Sequence, residues 1–155
     1  MNRFATLGFA ALISLGFAAQ ASAFSFSPKN KSFSASGKTN LTKGSLSVPC
    51  TSTFVGSSDA AGVGHIKSAT FSGGLFCSGI KAVGLPWTAK ATTATKAVVY
   101  RVSVSASVFG TCGPTNVPVS VSKTGVFTFA NVILTPNCKV NGTIASKPPV
   151  TIVSP

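Results

Sequence analysis

Few side chains in this protein could do acid–base or nucleophilic chemistry. Its 155 residues hold one acid, Asp59, and one histidine, His65. Paired carboxylates for general acid–base work are therefore excluded. A Ser–His–Asp arrangement would have to join His65 to Asp59 across the turn in "SSDAAGVGH", and no G-x-S-x-G elbow presents a nucleophile. Asp59 reads as a turn former and His65 as a strand residue. No Gly-rich loop opens a helix to cradle a phosphate. Four cysteines, Cys50, Cys77, Cys112 and Cys138, lie far apart with a single histidine, which is a poor set for zinc. The chain reads as non-enzymatic, with no metal and no cofactor.

The elements that would position these residues are strands. Residues 1–23, "MNRFATLGFAALISLGFAAQASA", have a positive start, an apolar stretch and a small-x-small ending at Ala21-Ser22-Ala23. That pattern predicts a secretory signal peptide cut after Ala23, leaving residues 24–155 as a single exported β-domain. An even cysteine count in an exported chain predicts two disulfides. Four cysteines allow three pairings. Cys50–Cys77 with Cys112–Cys138 is preferred, because both close loops of similar length within two stretches of similar strand–turn rhythm. After residue 23 nothing has a helical period. Strands are predicted at 31–36, 45–49, 51–55, 64–72, 87–92, 97–109, 117–122, 126–134, 140–145 and 150–153. Gly, Pro, Asn and Ser clusters separate them at the spacing of an antiparallel β-sandwich, Greek-key, immunoglobulin-like or jelly-roll in style. In "AVVYRVSVSASVFG", Val98, Tyr100, Val102, Val104, Ala106 and Val108 form one face, while Arg101, Ser103, Ser105 and Ser107 form the wet one. Asn141-Gly142 is the dipeptide favoured in a two-residue hairpin turn.

Charge narrows the partners. Eleven lysines and Arg101 face Asp59 alone beyond residue 23, and the whole chain carries a net +12. Such a field attracts anionic lipid, lipopolysaccharide or other polyanions, or it simply keeps the protein soluble. The lysines are scattered and arginine is scarce, so specific nucleic-acid recognition is not expected.

"FSPKNKSFSASGKTNLTKG", "CTSTFVG", "IKSATFSGGLFC", "GLPWTAKA" and the late "PNCKVNGT" with "VTIV" together resemble the PraB family, small exported proteins described as activators of alkane oxidation. The resemblance covers residues 24–155 and implies a role in growth on long-chain alkanes, through dispersal or capture of oil outside the cell. It brings no catalytic residues. An oil or envelope-lipid surface would be met by exposed apolar side chains, for which Phe24, Phe26, Leu75, Phe76 and Trp87 are the candidates. A second reading makes the protein a subunit of a surface fibre or biofilm matrix, with the segment "FSFSPKNKSFSASG", apolar at Phe24, Phe26, Phe33 and Ala35, donated as a strand to a neighbour. A third is a cationic polyanion-binding module.

Overall fold

A computed structural model describes residues 23–155; the signal-peptide reading of residues 1–23 lies outside them except at Ala23. The described residues form β1 (Ser25–Ser27), β2 (Ser32–Lys43), β3 (Leu46–Ser58), β4 (Gly64–Ser72), β5 (Ile80–Val83), β6 (Trp87–Ala91), β7 (Lys96–Ala106), β8 (Gly110–Val121), β9 (Val126–Leu134), β10 (Cys138–Lys147) and β11 (Thr151–Val153). A single 3-10 turn, Cys77–Gly79, precedes β5.

The sandwich expectation is wrong. Eight strands close into a ring in the order β2, β3, β4, β6, β7, β8, β9, β10, with β10 returning to β2 and every pair antiparallel. Ring strands follow one another in chain order, with only β5 set outside the ring between β4 and β6, so the topology is an up-and-down barrel and not a Greek key. Sandwich and barrel strands share the same one-face-in alternation. What separates them is the long-range pairing of β2 with β10, from Lys43↔Cys138 to Ser34↔Lys147. No local sequence signal encodes that closure.

Bulges let long strands curve around the ring. On β7 the register shifts between Val99 and Val102, where Arg101 adopts a φ of 57° and its amide donates to the Asn116 side chain at 3.1 Å. The extra residue flips the alternation. Ala97 and Val99 point inward above the bulge, and Val102, Val104 and Ala106 do so below it. Val98 and Tyr100 thus leave the predicted buried face, and Ser103 of the predicted wet face is 5% exposed. The Asn141-Gly142 turn is also corrected. Both residues sit inside β10 at a bulge, where Gly142 has a φ of 144° and a Cβ would strike the Lys38 carbonyl. Asn141 instead accepts the Asn131 amide at 2.7 Å across the β9–β10 pair.

The hydrogen-bonded ring is incomplete at two seams. β8 and β9 pair only at Ser120↔Thr128 and Val121↔Phe127. Their other ends are bridged by the Gly113 amide on the Thr135 carbonyl and by the Thr115 hydroxyl accepting the Thr135 amide, and the Cys112–Cys138 disulfide ties β8 to the start of β10 just beyond. β6 pairs with residues 97–99 of β7, and β5 pairs with residues 103–106 without pairing to β4. There the Cys50–Cys77 disulfide ties the approach to β5 onto β3.

The two barrel ends differ. At one, β1 pairs with β11 across the opening, and Phe26 drops inward against the Phe127 ring at 6.3 Å. Its amide donates to the Gly62 carbonyl at 2.9 Å. The other end carries the β2–β3 turn, the loop from Gly73 to Gly79, the β7–β8 turn and the β9–β10 turn.

Candidate functional site

Inward-facing side chains leave the barrel partly hollow. A cavity of about 120 Å³ runs inside it, reaching Phe26, Gly64 and Val150 at the β1 end and Leu41, Val48 and Leu134 toward the other. An eight-stranded barrel is just wide enough for side chains to fill or for one small ligand. Here Ala35, Ala89 and the inward valines Val99, Val102 and Val140 stand among the phenylalanines, and those smaller groups leave the space.

Polar chemistry is nearly absent from this wall. The Thr39 and Ser52 hydroxyls hydrogen-bond each other at 2.5 Å, and the Ser58 hydroxyl donates to the Pro28 carbonyl at 2.5 Å. The Trp87 indole lines the cavity but donates its Nε1 hydrogen to the Val83 carbonyl at 2.9 Å, which closes the gap between β5 and β6. Among the described residues no buried side-chain nitrogen or oxygen lacks a partner. A water inside would need two to four polar partners, and the wall offers only the remaining bonding capacity of the Thr39–Ser52 hydroxyl pair and of Ser58.

The residues singled out for surface contact fall into two groups. Phe26 and Trp87 are 2% and 3% exposed, so neither is an outer contact: Phe26 plugs one barrel end and Trp87 packs inside beside Phe54. Phe24 is half-buried beside β1. Leu75 and Phe76 behave differently. They are 86% and 39% exposed on the loop that Cys77 anchors to Cys50. Val108 is exposed in the β7–β8 turn at the same end, where the Ser107 amide donates to the Gly79 carbonyl at 3.4 Å. Lys43, whose ammonium donates to the Phe109 carbonyl at 2.7 Å, stands at this end, as do Lys81 and Lys139 near the starts of β5 and β10. The interior cavity was not foreseen from sequence. Alternation marks a residue as inward but does not say whether the space it faces is filled.

Asp59 and His65 do meet. One Asp59 oxygen accepts the Ala61 and Val63 amides at 2.9 Å each, and the other bonds His65 Nε2 at 2.9 Å. The His65 hydrogen bond, followed by the Val63 amide, holds the Asp59 carboxyl below its ordinary value. The group staples the β3–β4 turn whose Gly62 carbonyl receives Phe26. Among the described residues no hydroxyl hydrogen-bonds His65, and no three of His, Cys, Asp and Glu gather as a metal set.

No curated protein and no solved structure matched the chain. The family model described as alkane oxidation protein activator PraA/PraB-like matches residues 1–154, and the chain belongs to that family.

Proposed function

We propose that this protein is an exported, non-catalytic accessory of alkane oxidation that meets hydrocarbon by direct apolar contact at the barrel end bearing Leu75, Phe76 and Val108. The observation carrying this reading is Leu75, a large apolar side chain 86% exposed on a disulfide-anchored loop beside Phe76. Burying such a side chain in oil is worth about 1.5–3 kcal/mol. Lys43, Lys81 and Lys139 near this tip suit an oil or lipid surface that carries negative charge. The two disulfides fit an extracellular or periplasmic setting. The family description, an activator of alkane oxidation, supplies the hydrocarbon. The strand-donating subunit has less support, because Ser25–Ser27 pairs within its own chain and Ser32–Lys43 is a barrel strand.

Purified protein should lower hexadecane–water interfacial tension with nothing else added. Replacing Leu75 and Phe76 together by serine should weaken the effect severalfold without changing the thermal midpoint. If the pure protein leaves the tension unchanged while a strain lacking it still grows poorly on hexadecane, direct contact with oil is wrong.

A further inference from the structure

The barrel interior is a second apolar surface, shielded from bulk oil by the wall. We infer that it is a binding site for a single unbranched alkyl chain, which it holds as an individual molecule out of water. The inference rests on the proposed contact with hydrocarbon for the choice of ligand, and on the cavity itself for the site.

Three features of the interior select that ligand. Its wall is apolar, and the hydroxyls of Thr39, Ser52 and Ser58 are already engaged with protein partners. A polar headgroup would lose its hydration on entry and find at most the Thr39–Ser52 hydroxyl pair in exchange, whereas transfer to a purely apolar medium costs several kcal/mol. There is also no cation inside to hold a carboxylate or phosphate, since no lysine or arginine lines the cavity.

Shape is the third feature. An engineered cavity of about 150 Å³ in another protein stays dry and accepts benzene, so a hollow of this order of size takes hydrocarbon and not water. Here about 120 Å³ touches residues at both ends of the barrel instead of forming a compact chamber. Along β2 alone the lining runs from Phe33 to Leu41. At ~3.3 Å per residue those eight steps span roughly 26 Å of strand. A volume somewhat below that of the benzene-binding cavity is room for about six carbons, and a hollow drawn out along the barrel takes them as a short unbranched chain better than as a branched skeleton.

Trp87 supplies the readout, as the only tryptophan in the chain and a lining residue. A bromine atom quenches indole fluorescence on contact. With 1-bromohexane dissolved below its solubility limit and no oil phase present, Trp87 emission should fall along a saturable curve. Adding n-hexane should restore it, while aqueous iodide should quench little. Filling the hollow by Val140→Phe or Ala35→Leu should weaken bromohexane binding at least tenfold and leave the oil–water tension effect in place. Leu75→Ser with Phe76→Ser should do the reverse, so the interior site and the surface contact fail separately. Quenching that never saturates, that persists in the filled variants, or that disappears in the Leu75/Phe76 variant overturns the interior site. If a filled variant does not fold, the unmodified protein decides: n-hexane must both relieve the quenching and raise the thermal midpoint, and failure of either overturns the proposal.

Discussion

At the scale of single residues, the lone carboxylate is the most informative group. Asp59 accepts two backbone amides and the His65 ring, and its folded pKa lies below the ordinary value of 3.8. A depressed acid contributes stability that is present above its unfolded pKa and is lost as pH falls through the lower folded value. The thermal midpoint should therefore hold from neutrality down to about pH 4 and decline below it. Asp59→Asn should lower the midpoint at pH 7 and flatten that acid limb, as differential scanning calorimetry would show. An unchanged acid limb in the variant would assign the decline to another group. Sequence made Asp59 legible as a turn former, because a short acceptor followed by Ala-Ala-Gly is a local signal. The roles of Phe26 and Trp87 were not legible. An aromatic near a terminus or at a strand start looks the same whether it faces oil or plugs a barrel.

Among the elements, the weak points of the ring and its staples coincide. β8 and β9 share two register pairs before they splay, and Cys112–Cys138 closes the splayed end. Cys50–Cys77 fastens the approach to β5, which lacks hydrogen bonds to β4. Loops of 26 and 27 residues correspond to about 3–4 kcal/mol each in the loop-entropy account. Replacing both Cys112 and Cys138 by alanine should cost about that much in urea unfolding. It should also speed amide exchange at residues 129–135 more than in β2 or β3. Equal exchange everywhere would mean the disulfide does not guard the seam. Many strand positions were readable from period-two patterns, since those strands bury one face; β1, β5, residues 37–43 of β2 and 110–116 of β8 were not, and the predicted strands 45–49 and 51–55 are the single β3. The bulges were not. At "VVYR" both faces of β7 are apolar, so nothing marks the residue at which the alternation flips, and Asn-Gly serves a bulge in β10 as readily as a hairpin.

For the molecule as a whole, segments far apart along the chain meet. Ser25 pairs with Val153 and Phe26 with Ile152, and β2 pairs with β10 along eight positions. Phe26 plugs the barrel with β1 held by β11 and its own amide held by the Gly62 carbonyl. Removing residues 151–155 should therefore destabilise the protein nearly as much as Phe26→Ala, about 3–5 kcal/mol by chemical unfolding. If the truncation costs far less, β11 is dispensable for seating the plug. An all-β class was readable because no helical period interrupts the strands. Closure into a barrel was not, because it is fixed by pairing between segments about a hundred residues apart along the chain.

The pairing of β1 with β11 and of β2 with β10 also orders how the fold can assemble. A chain made from the amino end can form the β2–β3 and β3–β4 hairpins early, because those contacts are local. The ring cannot shut until β10 has arrived, and β1 gains its partner only when β11 follows. The topology thus acts as a completeness check. A polypeptide interrupted before β10 stays open, with its apolar lining uncovered, and one interrupted between β10 and β11 shuts without the β1–β11 pair.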